Sequence, residues 1–192
     1  MNPTPAPDPG ACYTRVAIGL HWLIAFALIG SFSVGLYMAD LPLSPQKLRI
    51  YSWHKWAGVT IFMFVVLRLV WRLQHRPPEL PAGMPAWQRK TAEATHVLLY
   101  LLMFAVPLSG WLMSSAKGFQ TVWFGVMPLP DLLDKNKELG ELLEEVHELL
   151  NFSMAGLVVA HLGAALKHHF IDRDDVLTRM SPFPGKTPGG IK

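Results

Sequence analysis

Four long apolar stretches, residues 16–39, 52–73, 92–115 and 144–170, limit what this chain can become more than anything else in it. Each reaches the twenty or so residues that a helix needs to cross about 30 Å of hydrocarbon. Lipid offers no partner to a backbone amide or carbonyl, so a spanning segment must satisfy its own hydrogen bonds, as a helix does. The expected fold is therefore all-α, a transmembrane four-helix bundle. A content of 51% hydrophobic and 16% charged residues leans the same way and away from an ordinary soluble domain. The net charge of +3 gives no reason to expect a nucleic-acid partner; it is a signal of topology. With both termini on one side, that side holds 11 lysines and arginines and the other holds 6, which predicts cytoplasmic termini.

The connections divide the chain further. A short first loop, DLPLSPQKLR, makes spans one and two antiparallel neighbours. The second, HRPPELPAGMPAWQRK, is proline-rich and basic and suits the cytoplasmic side. The third, residues 116–143, is the longest outer connection, and its Trp123 and Phe124 are placed for an interfacial aromatic belt. Its second half, DLLDKNKELGELLEEVHELL, reads as an outer helix running into span four with a break at Gly140. The opening MNPTPAPDPGACY has no basic stretch of the kind that begins a signal peptide. Residues 1–14 are therefore expected to be a flexible tail, 15–180 the membrane domain and 181–192 a second flexible tail. The single cysteine, Cys12, can form no intramolecular disulfide. No internal repeat is visible.

Eight histidines is a high number for so apolar a chain, and His21, His54, His96, His147 and His161 lie in or beside the spans. His147 and His161 are 14 residues apart. On a helix that is nearly four turns and about 21 Å, so the two share a face, one near the outer surface and one toward the inner, with Met154 midway. Counted from the flanking charges, His54 lies level with His147, while His21, His96 and His161 share the inner depth. A lone histidine at a helix end is most often an interfacial residue. Two layers of them inside a membrane point to ligation, because ionisable groups are costly there.

Zinc and copper sites usually gather three or four ligands at one depth, and the outer layer holds only two histidines. A bis-histidine haem needs one imidazole on each face and nothing more from the protein. With no C-x-x-C-H in the sequence, such a haem would be b-type. Glycines and alanines at 19, 30, 35, 58, 155, 156, 160, 163 and 164 would leave room for a flat ring, though close helix packing uses the same residues. Arg68 follows His54 by 14 residues, on the same face but at inner depth. It is either a snorkelling arginine or the partner of an inner haem propionate. Spacing leaves His96 and His161 equally placed as inner ligands.

GLHWL, HKWAG, LRLVWRL, HVLLYLLMFAVPLSGW and AHLGAALKHHFIDRDDVLTRM occur in this order between Arg15 and Met180. On these segments the chain resembles the bacterial cytochrome b561 family of di-haem membrane proteins. The resemblance implies a multi-pass inner-membrane protein, two haem b groups and electron exchange with a quinone such as ubiquinone. It also implies His54 with His147 as the outer axial ligands and His21 with His161 as the inner ones; His96, the alternative inner ligand by spacing, would then lie beside the ligands or the propionates. The implied activity passes electrons from a periplasmic donor to the quinone pool, and superoxide oxidation is one activity described in the family.

An anionic donor would be drawn by Lys47, Arg49, Lys55 and Lys117, although Glu138, Glu141, Glu144, Glu145 and Glu148 leave the outer field mixed. For quinone protonation, KHHFIDRDD offers His168, His169 and Asp172. The second expectation is a di-haem relay or anchor subunit for a partner dehydrogenase or hydrogenase. The third is a haem-free, histidine-lined metal transporter.

Overall fold

The computed structural model describes residues 12–81 and 83–183. Within them the chain forms α1 (Arg15–Ala39), α2 (Pro45–Gln74), α3 (Ala86–Ala116) and α4 (Lys137–Lys167), all four long and apolar enough to cross a membrane. The all-α transmembrane bundle is thus the fold. The greater parts of the two expected tails, residues 1–11 and 184–192, lie outside the described residues.

Three of the helices begin on side chains suited to the task. Thr14 accepts from the amide of Ala17, Ser44 from that of Lys47 with Pro45 next in line, and Asn136 from that of Leu139. These caps lie outside the apolar stretches, so the helices are longer than hydropathy alone implies. At 30 and 31 residues, α2, α3 and α4 measure about 45 Å and stand out of the hydrocarbon at their ends. Pro107 lies inside α3 and leaves the carbonyl one turn earlier without its amide, a defect that membrane helices tolerate.

Successive helices pack side by side, and α4 closes the bundle on α1, where Phe32 meets Phe152 edge to face at 5.7 Å. The centre is apolar: Ile24, Ile61 and Val65 are buried, with Phe64, Met103 and Phe104 against them. Much of the outward surface is apolar as well, including Phe26 at 65% and Val159 at 70% exposure, as expected of faces turned to lipid.

Two features of the outer loop differ from the sequence reading. Helix α4 runs without a break through Gly140, and residues 131–136 before it are not helical. Gly140 is buried where α4 passes the end of α3, and a Cβ there would lie 2.8 Å from Lys117 Cγ. Glycine is therefore present for close approach and does not end the helix. The other difference is a small antiparallel hairpin, β1 (Val122–Trp123) and β2 (Met127–Pro128), turned by Phe124 and Gly125 in left-handed conformation. Trp123 is held against the bundle by its indole N–H, which donates to Thr60 Oγ1 at 3.2 Å, whereas Phe124 is exposed.

The loop is closed at its base, where the Asn136 amide donates to the Ala116 carbonyl at 2.9 Å. Lys55 ties it down from α2: its ammonium donates to Ser114 Oγ and to the carbonyl of Phe119. At the opposite end, Trp22 donates to the Met180 carbonyl and Trp71 to Thr14 Oγ1. These two indoles pin both ends of the membrane domain to one face of the bundle.

Candidate functional site

The intramembrane histidines gather in two groups. At the end bearing the α1–α2 loop, His54 from α2 faces His147 from α4, with ring centroids 6.4 Å apart and ring planes at 89°. At the end bearing both termini, His21 from α1 faces His161 from α4 at 6.4 Å and 73°. His96 from α3 lies nearer to His161, at 5.5 Å and 69°. All five rings are half-buried. Met154 is buried on α4 between the two levels, and the apolar core around Ile24, Ile61 and Val65 fills the space between them.

The outer histidines are oriented from behind. His147 Nδ1 lies 3.0 Å from the Val106 carbonyl and 2.9 Å from Ser109 Oγ. Ser109 gives its own hydroxyl proton to the same carbonyl at 2.8 Å. A carbonyl only accepts, so Nδ1 carries the proton and the Nε2 lone pair is free to bind. His54 Nδ1 lies 3.3 Å from Ser31 Oγ. Two glycines fit closely over these rings. A Cβ at Gly110 would lie 3.0 Å from His147 Cε1, and one at Gly35 would lie 3.4 Å from His54 Cε1. Gly110, Ser109, Val106 and Ser31 had no assigned role in the sequence reading. Their importance comes from contacts between helices, and only the apposition of α3 with α4, and of α1 with α2, reveals it.

Arg68 lies at the inner level, where its Nε donates to Tyr100 Oη at 3.1 Å and its Nη1 is buried without a hydrogen-bond partner. Beyond α4, the chain makes a π-helical turn, His168–Asp172, and leaves it through Arg173 in left-handed conformation. That turn folds Asp174 back, so His168 Nδ1 lies 2.6 Å from Asp174 Oδ2 and 3.3 Å from Asp172 Oδ2. Asp172 also pairs with Lys167 at 2.5 Å. His169 is not in this group; its ring packs edge-on against Phe170 at 4.8 Å. At the other end, Lys117 pairs with Glu144 at 2.6 Å. Lys47 donates to the carbonyls of Ala39 and Leu41, and neither it nor Lys55 has a carboxylate partner among the described residues.

A four-helix membrane bundle with imidazoles paired at both ends has the architecture of a membrane b-type cytochrome. The comparison with known proteins is more particular. Residues 12–183 match the prokaryotic cytochrome b561 family, and the chain belongs to it. It is 37% identical to cytochrome b561 homolog 2 of Escherichia coli K12, over 88% of this chain and 90% of that one. It is 30% identical to cytochrome b561 homolog 1 of the same strain, over 88% and 97%. It is 29% identical to the probable superoxide oxidase CybB of Yersinia pestis, over 88% and 96%.

The protein is accordingly a bacterial membrane oxidoreductase of electron transport that binds haem b. Its residues fit that group. A metal-bound imidazole nitrogen lies about 2.0–2.1 Å from the ion and its ring centroid about 1.1 Å further back, so two opposed rings on one ion stand between about 6 and 6.5 Å apart. The pairs His54–His147 and His21–His161 both meet that spacing, and His96–His161 falls short of it. The buried open donor of Arg68 also suits a carboxylate such as a haem propionate.

Proposed function

We propose that this chain holds two haem b groups and passes electrons from a donor at its outer end to a quinone of the ubiquinone type at its inner end. His54 and His147 would hold the outer group and His21 and His161 the inner one, with Arg68 neutralising an inner propionate and His96 beside the ring. The observation that carries the reading is the repetition of one imidazole spacing, 6.4 Å, at opposite ends of a single bundle. Each bound haem would supply a one-electron iron couple, so that single electrons cross from one end to the other.

The chain's own residues have simpler tasks. Val106 and Ser109 fix the tautomer of His147, and the apolar middle keeps water from the path. Lys47, Arg49 and Lys55 favour an anionic donor at the outer end. Superoxide satisfies the balance: two superoxide ions each lose one electron and leave as dioxygen, while one quinone takes two electrons and two protons. His168 and Asp172, joined by Asp174, would pass those protons, with His169 alongside. The orientation that suits this places both termini in the cytoplasm.

One observation favours a second reading, in which the chain relays electrons for a partner dehydrogenase or hydrogenase. The outer hairpin and its approach expose Phe119, Phe124, Val126 and Met127, an apolar surface of the kind that docking proteins use. Stopped-flow mixing of the purified haem-loaded chain with superoxide, followed by a soluble quinone, separates the two. Rapid reduction and rapid reoxidation without any other subunit support the oxidoreductase; reduction that needs a co-purifying subunit supports the relay and overturns the first reading.

A further inference from the structure

The end of the bundle that carries both termini holds a group of charges of which the proposed electron path uses only Arg68. Arg68 and Arg72 lie four residues apart on one face of α2, and Arg76 follows just past the end of that helix at Gln74. All three line a cleft whose other walls include Tyr13, Trp71, Tyr100 and Met180. Arg72 also stacks over the Tyr100 ring, 5.6 Å from its centroid. Among the described residues, no aspartate or glutamate lines the cleft and none of the three arginines forms an ion pair. Like charges four residues apart on a helix repel one another. Three guanidinium groups around one cleft, without counter-charge among the described residues, are an arrangement that an anion would stabilise.

The shape narrows the choice of anion. The cleft is tight and open on one side. The oxygens of a small tetrahedral group can enter from that side, and guanidinium forks match phosphate geometry. The surroundings narrow the source. Leu73, beside Arg72, is 76% exposed, and Val70 is 45% exposed, so apolar surface for acyl chains adjoins the charge. Basic pockets between membrane helices recognise anionic lipid headgroups in this way.

We propose that this cleft binds the phosphate of an anionic phospholipid, with Arg72 and Arg76 as the principal contacts and Tyr100 holding Arg72 in place. Arg68 is left to the inner haem level, so this inference stands independently of the electron path.

The test uses full-length, haem-loaded protein stripped of lipid in detergent. Phosphatidylglycerol or phosphatidylcholine is then added back, and bound lipid is counted by native mass spectrometry. One phosphatidylglycerol per chain should be retained in preference to phosphatidylcholine. The double variant Arg72→Gln, Arg76→Gln should weaken retention on the order of thirtyfold, about fivefold for each charge near the surface. Arg72→Lys with Arg76→Lys should recover part of it. Visible haem absorbance monitors folding in every variant. Equal retention by the glutamine variant overturns the proposal. So does binding of inorganic phosphate that displaces the lipid at millimolar concentration, because the cleft would then serve the free ion. Loss of haem absorbance with lipid retention unchanged overturns it as well, and would assign the arginines to haem carboxylates.

Discussion

Gly110 illustrates how little room the histidines have. An added Cβ would lie 3.0 Å from Cε1 and 3.3 Å from Nδ1 of His147, inside ordinary contact distance. The ring is held from behind by Val106 and Ser109 and cannot move aside without losing those bonds. Gly110→Ala is therefore expected to cost the haem proposed at the outer level, lowering iron by about one per chain, by metal analysis of purified protein. Gly35→Ala meets His54 at 3.4 Å and should leave the iron count unchanged. The histidines themselves give a sharper contrast. His161→Ala should remove the inner haem, whereas His96→Ala should keep both α-band signals in a reduced-minus-oxidised spectrum. Loss of one α-band signal with His96→Ala would sink the inner assignment. The vertical spacing of the histidines was legible in the sequence because a helix is regular, so 14 residues fix both depth and face. Gly110 was not, because its role depends on which helix lies opposite, and no local pattern encodes that. Asp174 was missed for a related reason: only the left-handed turn at Arg173 brings it back to His168.

Helix α4 supplies a histidine to each level, and its regularity sets their separation. Deleting one residue between His147 and His161 turns one ring about 100° away from its partner. The expected result is loss of one haem with the other retained, read as a single remaining α-band component. The start of α4 is governed by Asn136, whose side chain accepts from the Leu139 amide at 3.0 Å. Asn136→Ala should cost about 1 kcal/mol, seen as a lower thermal midpoint with haem content intact. Gly140→Ala tests the neck between α3 and α4. Alanine gains about 1 kcal/mol in helix propensity, but the contact with Lys117 is at 2.8 Å and the Lys117 backbone amide is 3.4 Å away. Overpacking of this kind costs about 1–3 kcal/mol, so a net fall in the thermal midpoint is expected. The four helices were legible from hydropathy, whereas their ends depended on caps that lie in polar sequence. The break placed at Gly140 failed because glycine there serves packing. The hairpin escaped notice because strands of two residues carry no periodicity; Gly125 was its one local signal.

Across the whole molecule, the levels lie at opposite ends of an interior that is apolar between them. Anything bound there ties two helices together, so loading should stabilise the bundle as a unit. At a thousandfold excess over Kd, a bound group adds about 4 kcal/mol per site. Protein prepared without haem should therefore unfold at markedly lower temperature than loaded protein by circular dichroism, and adding haem should restore the midpoint. An unchanged midpoint would mean that the bundle is built to stand without its cofactors. The outer loop adds a different property. The bond between Asn136 and Ala116 closes it like a drawstring, and Lys55 pins it independently from α2. Beyond that closure the hairpin rests on α2 through Trp123 and Thr60, while its turn, Phe124 to Met127, is exposed. That exposed turn can be lengthened, shortened or redecorated without moving the four rods, so the relative placement of the imidazoles stays as it is.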